Sequence, residues 1–330
     1  MKILGIETSC DETAAAIIED GTKIISNVVA TSQDMHAKTG GVIPESAARE
    51  QVKSIIPVIN EALKNNKIDT IAITIGPGLI GSLLVGVETA KTISYLWNKP
   101  IIPVNHLVGH IYANWLGKEK PPEFPALALV VSGGHTDLVL MKNHGNIKYI
   151  GGTRDDAAGE AFDKTARLLD LPYPGGPNLA KLAEKFLDKN PNAKLNLFPR
   201  PMVGENNFEW SFSGLKTAVL REVGNKKFND KEKSELAAEI QEAIVDSLVI
   251  KVVRAIEKYK PKSFLLSGGV AANKRLSVKL SEKIMREMLH IPNPQFCTDN
   301  AAYIAGAAYF NNKPANWKKI SANPELTITD

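Results

Sequence analysis

Cysteine is nearly absent: Cys10 and Cys297 are the only two in 330 residues, and neither belongs to a CxxC pair. That argues against a disulfide framework and fits a reducing, cytoplasmic setting. A surplus of charge is missing too, with 40 Lys and Arg against 36 Asp and Glu for a net +4. So small an excess does not by itself mark a nucleic-acid binder, and the sequence alone places no local basic face. The start, MKILGIETSCDET, meets Glu7 before any long apolar run, which argues against a secretory signal. One uncharged run rich in apolar residues, residues 70–87 (TIAITIGPGLIGSLLVGV), is about long enough to span a bilayer. Gly76-Pro77-Gly78 divides it into a β-rich half and a helix-like half, so it reads as a buried strand–loop–helix unit. No membrane association is expected. Neither the Walker A pattern nor G-x-G-x-x-G appears around the glycine turns VSGGHTD, LSGGVAAN and YPGGPN, and no segment is of low complexity.

What is present is ordinary globular composition, 44% hydrophobic and 23% charged. The length exceeds that of one compact domain, so two lobes are expected. Strand-like and helix-like segments alternate with short Gly/Pro connections, which argues for an α/β fold. KILGIETS reads as a buried strand, and ETAAAIIEDG and KIISNVVAT as two more joined through Asp20-Gly21. SAAREQVKSIIPVINEALKN has helical spacing, with a kink expected at Pro57. The stretch ALALVVSGGHTDLVLMKNHG repeats the design of the first twenty residues. At one constant offset Ser9 falls on Ser132 and Thr13 on Thr136, each pair in a strand–tight turn–strand layout. A duplicated fold shows that pattern. Further on, AEIQEAIVDSLVIKVVRAIEKY reads as a long helix and DNAAYIAGAAYF as a small-residue helix. Residues 190–207 read as an irregular loop able to move.

The chemistry begins at NHLVGH. His106 and His110 stand one turn apart, and a helix starting near Asn105 brings both rings to one face, a spacing that suits a single metal ion. Two ordinary polar residues at a helix start also explain the spacing. Zinc proteases of the H-E-x-x-H type need a glutamate where Leu107 stands, so that chemistry lacks its base. Asp299 in CTDNAAYIAG is a candidate third ligand. Aspartate is also a preferred N-cap, and both roles remain open. VSGGHTD, LSGGVAAN and YPGGPN are glycine turns whose backbone N–H groups can cradle phosphate, or they are plain turns. In DDAAGEAFDK, helix-dipole stabilisation accounts for Asp155 and Asp156, whereas Asp163 can accept from ribose hydroxyls. SFSGLKTAV reads as a capped helix. Asp11 and Glu12 sit at a hairpin tip, where a carboxylate facing a cleft can move a proton.

ETSCDET, HLVGH, VSGGHT, DDAAGEAFDK, YPGGP, SFSGLKTAV, SGGVAANKRL and CTDNAAYIA, in that order, resemble the tRNA threonylcarbamoyladenosine transferase family, once labelled O-sialoglycoprotein endopeptidase. The resemblance runs from about Ile3 to about Phe310. It implies an α/β, two-lobed actin-like fold shared with acetate kinase and the heat-shock ATPases, each lobe a ribonuclease-H-like mixed sheet flanked by helices. The implied lobes are residues 1–111 plus 296–330, with the metal ligands, and 112–295, with the nucleotide loops. It further implies one divalent metal on His106, His110 and Asp299, iron first, with zinc or magnesium as alternatives. Val131, Ser132, Gly133, Gly134 and His135 would hold the phosphates of an adenine nucleotide or threonylcarbamoyl-adenylate. Asp163, Gly176 and Asn273 would contact its adenosine, and Asp11 or Glu12 would serve the proton transfer. The implied reaction moves threonylcarbamoyl from the adenylate to the exocyclic amine of the adenosine beside the anticodon in tRNAs reading codons that start with A, and AMP leaves. Implied partners are tRNA, a paralogous actin-like subunit, a small ATPase and a separate synthase that supplies the adenylate. Val108 departs from the glutamate common in bacterial relatives, yet DDAAGEAFDK and SFSGLKTAV are of bacterial or organellar type, and the longer motifs decide. The rival readings are a kinase-like phosphotransferase and a non-catalytic nucleotide-binding scaffold of the same fold.

Overall fold

A computed structural model of the chain describes residues 1–224 and 226–330. It divides into two compact units, one of residues 1–123, 141–147 and 292–330, the other of residues 124–140 and 148–291.

The first unit opens with β1 (Lys2–Glu7), β2 (Glu12–Glu19) and β3 (Lys23–Thr31), an antiparallel meander turning at Asp20-Gly21. Then come α1 (Gln33–Thr39), α2 (Pro44–Leu63), β4 (Thr70–Gly76), α3 (Ile80–Trp97), β5 (Ile101–Asn105) and α4 (His106–Tyr112). The sheet order is β3-β2-β1-β4-β5, with β4 parallel to both β1 and β5. The uncharged run therefore forms β4 and α3, split at its Gly-Pro-Gly. Among the described residues, no helix is long and apolar enough to cross a membrane. Leu4, Ile6, Ile17, Ile71 and Ile73 from the strands meet Ile55, Ile59, Val87 and Ile93 from α2 and α3 in one buried cluster. α2 runs on through Pro57 as one 20-residue helix.

In the second unit, residues 141–147 of the β7–β8 hairpin apart, β6 (Ala126–Val131), β7 (Thr136–Asn143) and β8 (Asn146–Gly152) precede α5 (Ala158–Leu168), α6 (Gly175–Lys189), α7 (Ser213–Val223) and α8 (Asp230–Tyr259). β9 (Ser263–Ser267), α9 (Lys274–Lys283) and β10 (Leu289–His290) complete it, and the sheet order is β10-β9-β6-β7-β8. Written from the other edge this is the order of the first sheet, strand for strand. The duplication signalled by Ser9/Ser132 and Thr13/Thr136 is thus a repeated topology. α8 begins earlier than its apolar periodicity suggests, because Asn229 and Glu232 form a capping box ahead of it. The loop after α6 is irregular, as its composition predicts, but it is tied down. Arg200 pairs with Asp246 at 2.9 Å, Lys251 donates to Asn207 at 2.8 Å, and the Trp210 indole donates to the Ser247 carbonyl at 2.8 Å.

The chain then returns to the first unit with α10 (Ala302–Asn311). Residues 302–308 of α10 are all buried, which is why this helix is apolar all round instead of striped. It lies against β1, where a Cβ at Gly5 would come within 2.3 Å of the Ala301 carbonyl oxygen. Gly5 is what lets the start of α10 approach the strand that carries Glu7.

Candidate metal centre and nucleotide-binding turns

β5 leads into α4 without a loop, and Asn105 serves both. As N-cap its side-chain oxygen accepts the Leu107 N–H at 2.9 Å, while its amide donates to the Thr327 carbonyl at 2.7 Å. The helix thus starts at His106, and four residues on His110 presents its ring to the same face, the centroids 4.6 Å apart. Both rings are buried.

Asp299 arrives from the segment before α10. Its Oδ1 lies 3.3 Å from His110 Nε2 and 3.6 Å from His106 Nε2, and it accepts the Tyr303 hydroxyl at 3.3 Å. The sequence left Asp299 either ligand or cap, and the helix N–H groups here go to its neighbour. Asn300, one residue before the N-cap Ala301, accepts the first helical N–H groups, from Ala302 at 3.1 Å and Tyr303 at 3.4 Å, and Asp299 faces the histidines. One ligand atom from each of His106, His110 and Asp299 falls within 4.8 Å of the others. Two imidazole nitrogens and one carboxylate oxygen suit a divalent ion of the iron–zinc kind.

A carboxylate unnoticed in the sequence stands behind His106. Glu7, fully buried at the end of β1, has its Oε2 3.0 Å from His106 Nδ1. The same oxygen accepts the Thr74 hydroxyl at 2.6 Å, and its Oε1 accepts the Ser9 N–H at 2.5 Å. Metal-bound histidines usually carry such an outer partner. An acid at the end of an apolar strand was the available signal.

The hairpin tip brings Asp11 and Glu12 to this neighbourhood. Gln51 of α2 donates to the Cys10 and Glu12 carbonyls at 3.0 and 2.9 Å, and the Ser32 hydroxyl donates to the Asp11 carbonyl at 2.8 Å. Burial, then the charges of Asp299 and Asp11, push the Glu12 carboxyl up to about 10. Asp299 goes the other way: burial raises it, but His106 and His110 hold it well below the usual carboxylate range. For His106 burial lowers the pKa, yet Glu7 and Asp299 outweigh it and raise it to about 9. His110 is lowered, chiefly by burial. The region therefore gathers more carboxylates than it can ionise together, which a cation would relieve.

In the second unit the other candidates gather around α5. Val131 ends β6, and a tight turn follows in which the Ser132 N–H donates to the His135 carbonyl at 2.9 Å. Gly159, in the first turn of α5, donates its N–H to the Ser132 carbonyl at 3.1 Å; a Cβ there would sit 2.4 Å from that oxygen. Gly133 and Gly134 are exposed, with no atom within 4 Å of where a Cβ would stand. Asp163 lies further along α5, where its Oδ1 accepts the Gly176 N–H at 2.8 Å. Burial raises its carboxyl against those backbone donors. Asn273 caps α9 through its oxygen (Leu276 N–H, 3.0 Å) and donates its amide to Gln241 at 2.9 Å. Asp163 and Asn273 thus already hold local structure.

Asp155 behaves unlike the expectation that it serves its own helix. It accepts the Phe212 and Ser213 N–H groups at 2.7 and 3.2 Å and so caps α7, where Phe212 at the N-cap offers no oxygen. SFSGLKTAV is a capped helix, but its cap comes from the DDAAGEAFDK motif. Asp156 instead pairs with Lys164 at 2.7 Å.

Comparison with known proteins fits this geometry. Residues 23–306 match the family model described as tRNA N6-adenosine threonylcarbamoyltransferase. The chain is 50% identical to a Bacillus cereus protein of that name, over 99% of this chain and 96% of the relative. A Thermomicrobium roseum protein of the same name is 48% identical, covering 94% and 92%. Among solved structures, component A of the Acidaminococcus fermentans (R)-2-hydroxyglutaryl-CoA dehydratase matches 97% of this chain and 99% of its own, with TM-score 0.54 and 16% identity. Full-length HypF in its phosphate- and nucleotide-bound form matches 94% of this chain and 46% of its own, with TM-score 0.58 and 13% identity. At that identity the structural matches speak for the fold alone.

Proposed function

The chain belongs to the tRNA N6-adenosine threonylcarbamoyltransferase family, and on that premise we propose how its own residues carry out the transfer. The substrate is tRNA and the modified atom is N6 of an adenosine. The donor is threonylcarbamoyl-adenylate, and the acceptor is the adenosine beside the anticodon in tRNAs reading codons that begin with A. The amine nitrogen bonds to the carbamoyl carbon, the bond from that carbon to the phosphate oxygen breaks, and AMP leaves with the electron pair.

His106, His110 and Asp299 would hold one divalent ion, iron first and zinc or magnesium otherwise. When bound, such an ion supplies a Lewis acid for phosphate or carbonyl oxygens. The remaining work falls to the protein. Asp11 or Glu12 takes the proton lost by the attacking amine on a carboxylate oxygen, Glu12 only once a bound cation has brought its carboxyl down from about 10. The turn from Val131 through Ser132, Gly133, Gly134 and His135 offers backbone N–H groups to the departing phosphate, and its two exposed glycines leave room for it. Asp163, Gly176 and Asn273 contact the adenosine of the donor.

A net charge of only +4 gives the chain a weak hold on tRNA by itself. We infer that a paralogous actin-like subunit and a small ATPase share that task in the cytoplasm, and that a separate synthase delivers the adenylate. The convergence of His106 Nε2, His110 Nε2 and Asp299 Oδ1 carries this reading. The test is reconstitution with threonine, bicarbonate, ATP, synthase, partners and tRNA, followed by mass spectrometry of the nucleosides. Threonylcarbamoyladenosine should form with the intact chain. Its formation at an undiminished rate by His106→Ala would overturn the reading.

A further inference from the structure

We infer that Glu7 is the positioning residue of the metal centre: its carboxylate keeps the proton on His106 Nδ1, so that Nε2 is the nitrogen that gives up its proton to take a metal. The inference rests on the metal reading above and concerns one hydrogen bond. An ionised carboxylate only accepts, so a histidine nitrogen 3.0 Å from Glu7 Oε2 must carry the proton. The remaining nitrogen, Nε2, is the one that faces Asp299 Oδ1.

Glu7 cannot turn away from this task. It is fully buried, and the Ser9 N–H and Thr74 hydroxyl occupy it from two further directions at 2.5 and 2.6 Å. The backbone donor at Ser9 fixes which oxygen is Oε1, and so fixes which one meets His106. Ser9 adds its own hydroxyl 3.2 Å from the same Nδ1. His110 shows the contrast: its Nδ1 is buried and finds no hydrogen-bond partner among the described residues. Of the two imidazoles, His106 alone has its tautomer set from behind.

Glu7→Gln reverses the sign of that bond with little change of shape. The Ser9 N–H still demands an oxygen at the Oε1 position, so the new amide NH2 must face Thr74 and His106. An NH2 there donates to Nδ1, which drives the proton to Nε2 and blocks the ligand atom. Metal affinity should fall about 10–100-fold, the range for losing an outer-shell partner.

The experiment titrates the full-length, metal-stripped chain with Zn²⁺ and Co²⁺ against a chromophoric chelator. Wild type, Glu7→Gln and Thr74→Val are compared, and unfolding curves confirm the fold of each. The expected result is the stated loss for Glu7→Gln and binding within a few-fold of wild type for Thr74→Val, which leaves the carboxylate in place. Wild-type affinity in Glu7→Gln, or an equal loss in Thr74→Val, overturns the inference. Should Glu7→Gln fail to fold, nitrogen-15 spectra of the Zn²⁺-loaded wild type decide alone. His106 should be bound through Nε2 and protonated at Nδ1, and coordination through Nδ1 would overturn the claim. A wild-type chain that binds neither ion removes the metal reading itself and this inference with it.

Discussion

Asp299 and Asn300 stand next to each other and divide two tasks that one residue often performs. Asn300 accepts the Ala302 N–H and caps α10, while Asp299 points its Oδ1 at His110 Nε2, 3.3 Å away. The division makes the two substitutions separable. Asn300→Ala should cost about 1 kcal/mol of stability, the usual cost of a lost N-cap, and leave metal affinity largely intact. Asp299→Ala keeps the cap but removes a ligand, so affinity should fall by more than the ~10–100-fold typical of outer-shell losses. Urea unfolding and metal titration of both variants check this. Equal metal loss in the two would mean that the aspartate has no special place.

His106→Ala and His110→Ala should each lower the transfer rate ~10²-fold or more, since a Lewis acid contributes several kcal/mol to such a step. Both rings pack beside Tyr303 and Asp299 and neither belongs to the apolar cluster between the first sheet and α2 and α3, so the fold should survive. Circular dichroism and nucleoside mass spectrometry on the same preparations test this. Chelation of the wild type should reproduce the loss, and added iron or zinc should reverse it.

Much of the arrangement could be read from the residues because the signals were local. An i, i+4 histidine pair after an apolar strand needs only a helix start to converge, and Asn105 supplies one. The repeat of Ser9 and Thr13 at Ser132 and Thr136 reports two sheets of one topology, since each pair sits in the same hairpin. What escaped notice was long-range. Glu7 meets His106 only because β1, β4 and β5 lie side by side in the sheet. Asp155 caps a helix that begins 58 positions later, and nothing in its own motif says so. Asp299 and Asn300 are equally good caps by type. In the fold Asn300 receives the Ala302 N–H and Asp299 faces the histidines, a division that residue type does not announce.

The Asp155 cap has a pH signature. Burial pushes its carboxyl up, but bonds from Ser211, Phe212 and Ser213 prevail and hold it below the ordinary 3.8. A group lowered in the folded state adds stability above its unfolded pKa and loses it as pH falls through the folded one. Asp155→Ala should therefore be less stable than wild type by about 1 kcal/mol at neutral pH, the value of a cap. That gap should close as pH drops below about 3.8. Denaturant midpoints of both proteins across the acid range give the answer. A gap that stays constant into acid would mean that packing, and not the carboxylate, holds the start of α7.

Gly159 and Gly133 test the turn after β6 in opposite ways. A Cβ at Gly159 would stand 2.4 Å from the Ser132 carbonyl oxygen, a backbone atom that cannot swing aside. Gly159→Ala must then push α5 off the turn. Crowding of that kind costs about 1–3 kcal/mol, more than the gain of up to about 1 kcal/mol from alanine in a helix. Gly133→Ala meets no atom within 4 Å, so stability should stay within about 0.5 kcal/mol of wild type. If phosphate rests against that turn, the added methyl occupies its place, and nucleotide affinity should fall about tenfold, or 1.4 kcal/mol. Thermal unfolding and titration with a fluorescent AMP analogue separate the two effects. A Gly133→Ala protein that binds the analogue as tightly as wild type would show that the phosphate lies elsewhere, whatever Gly159→Ala does to stability.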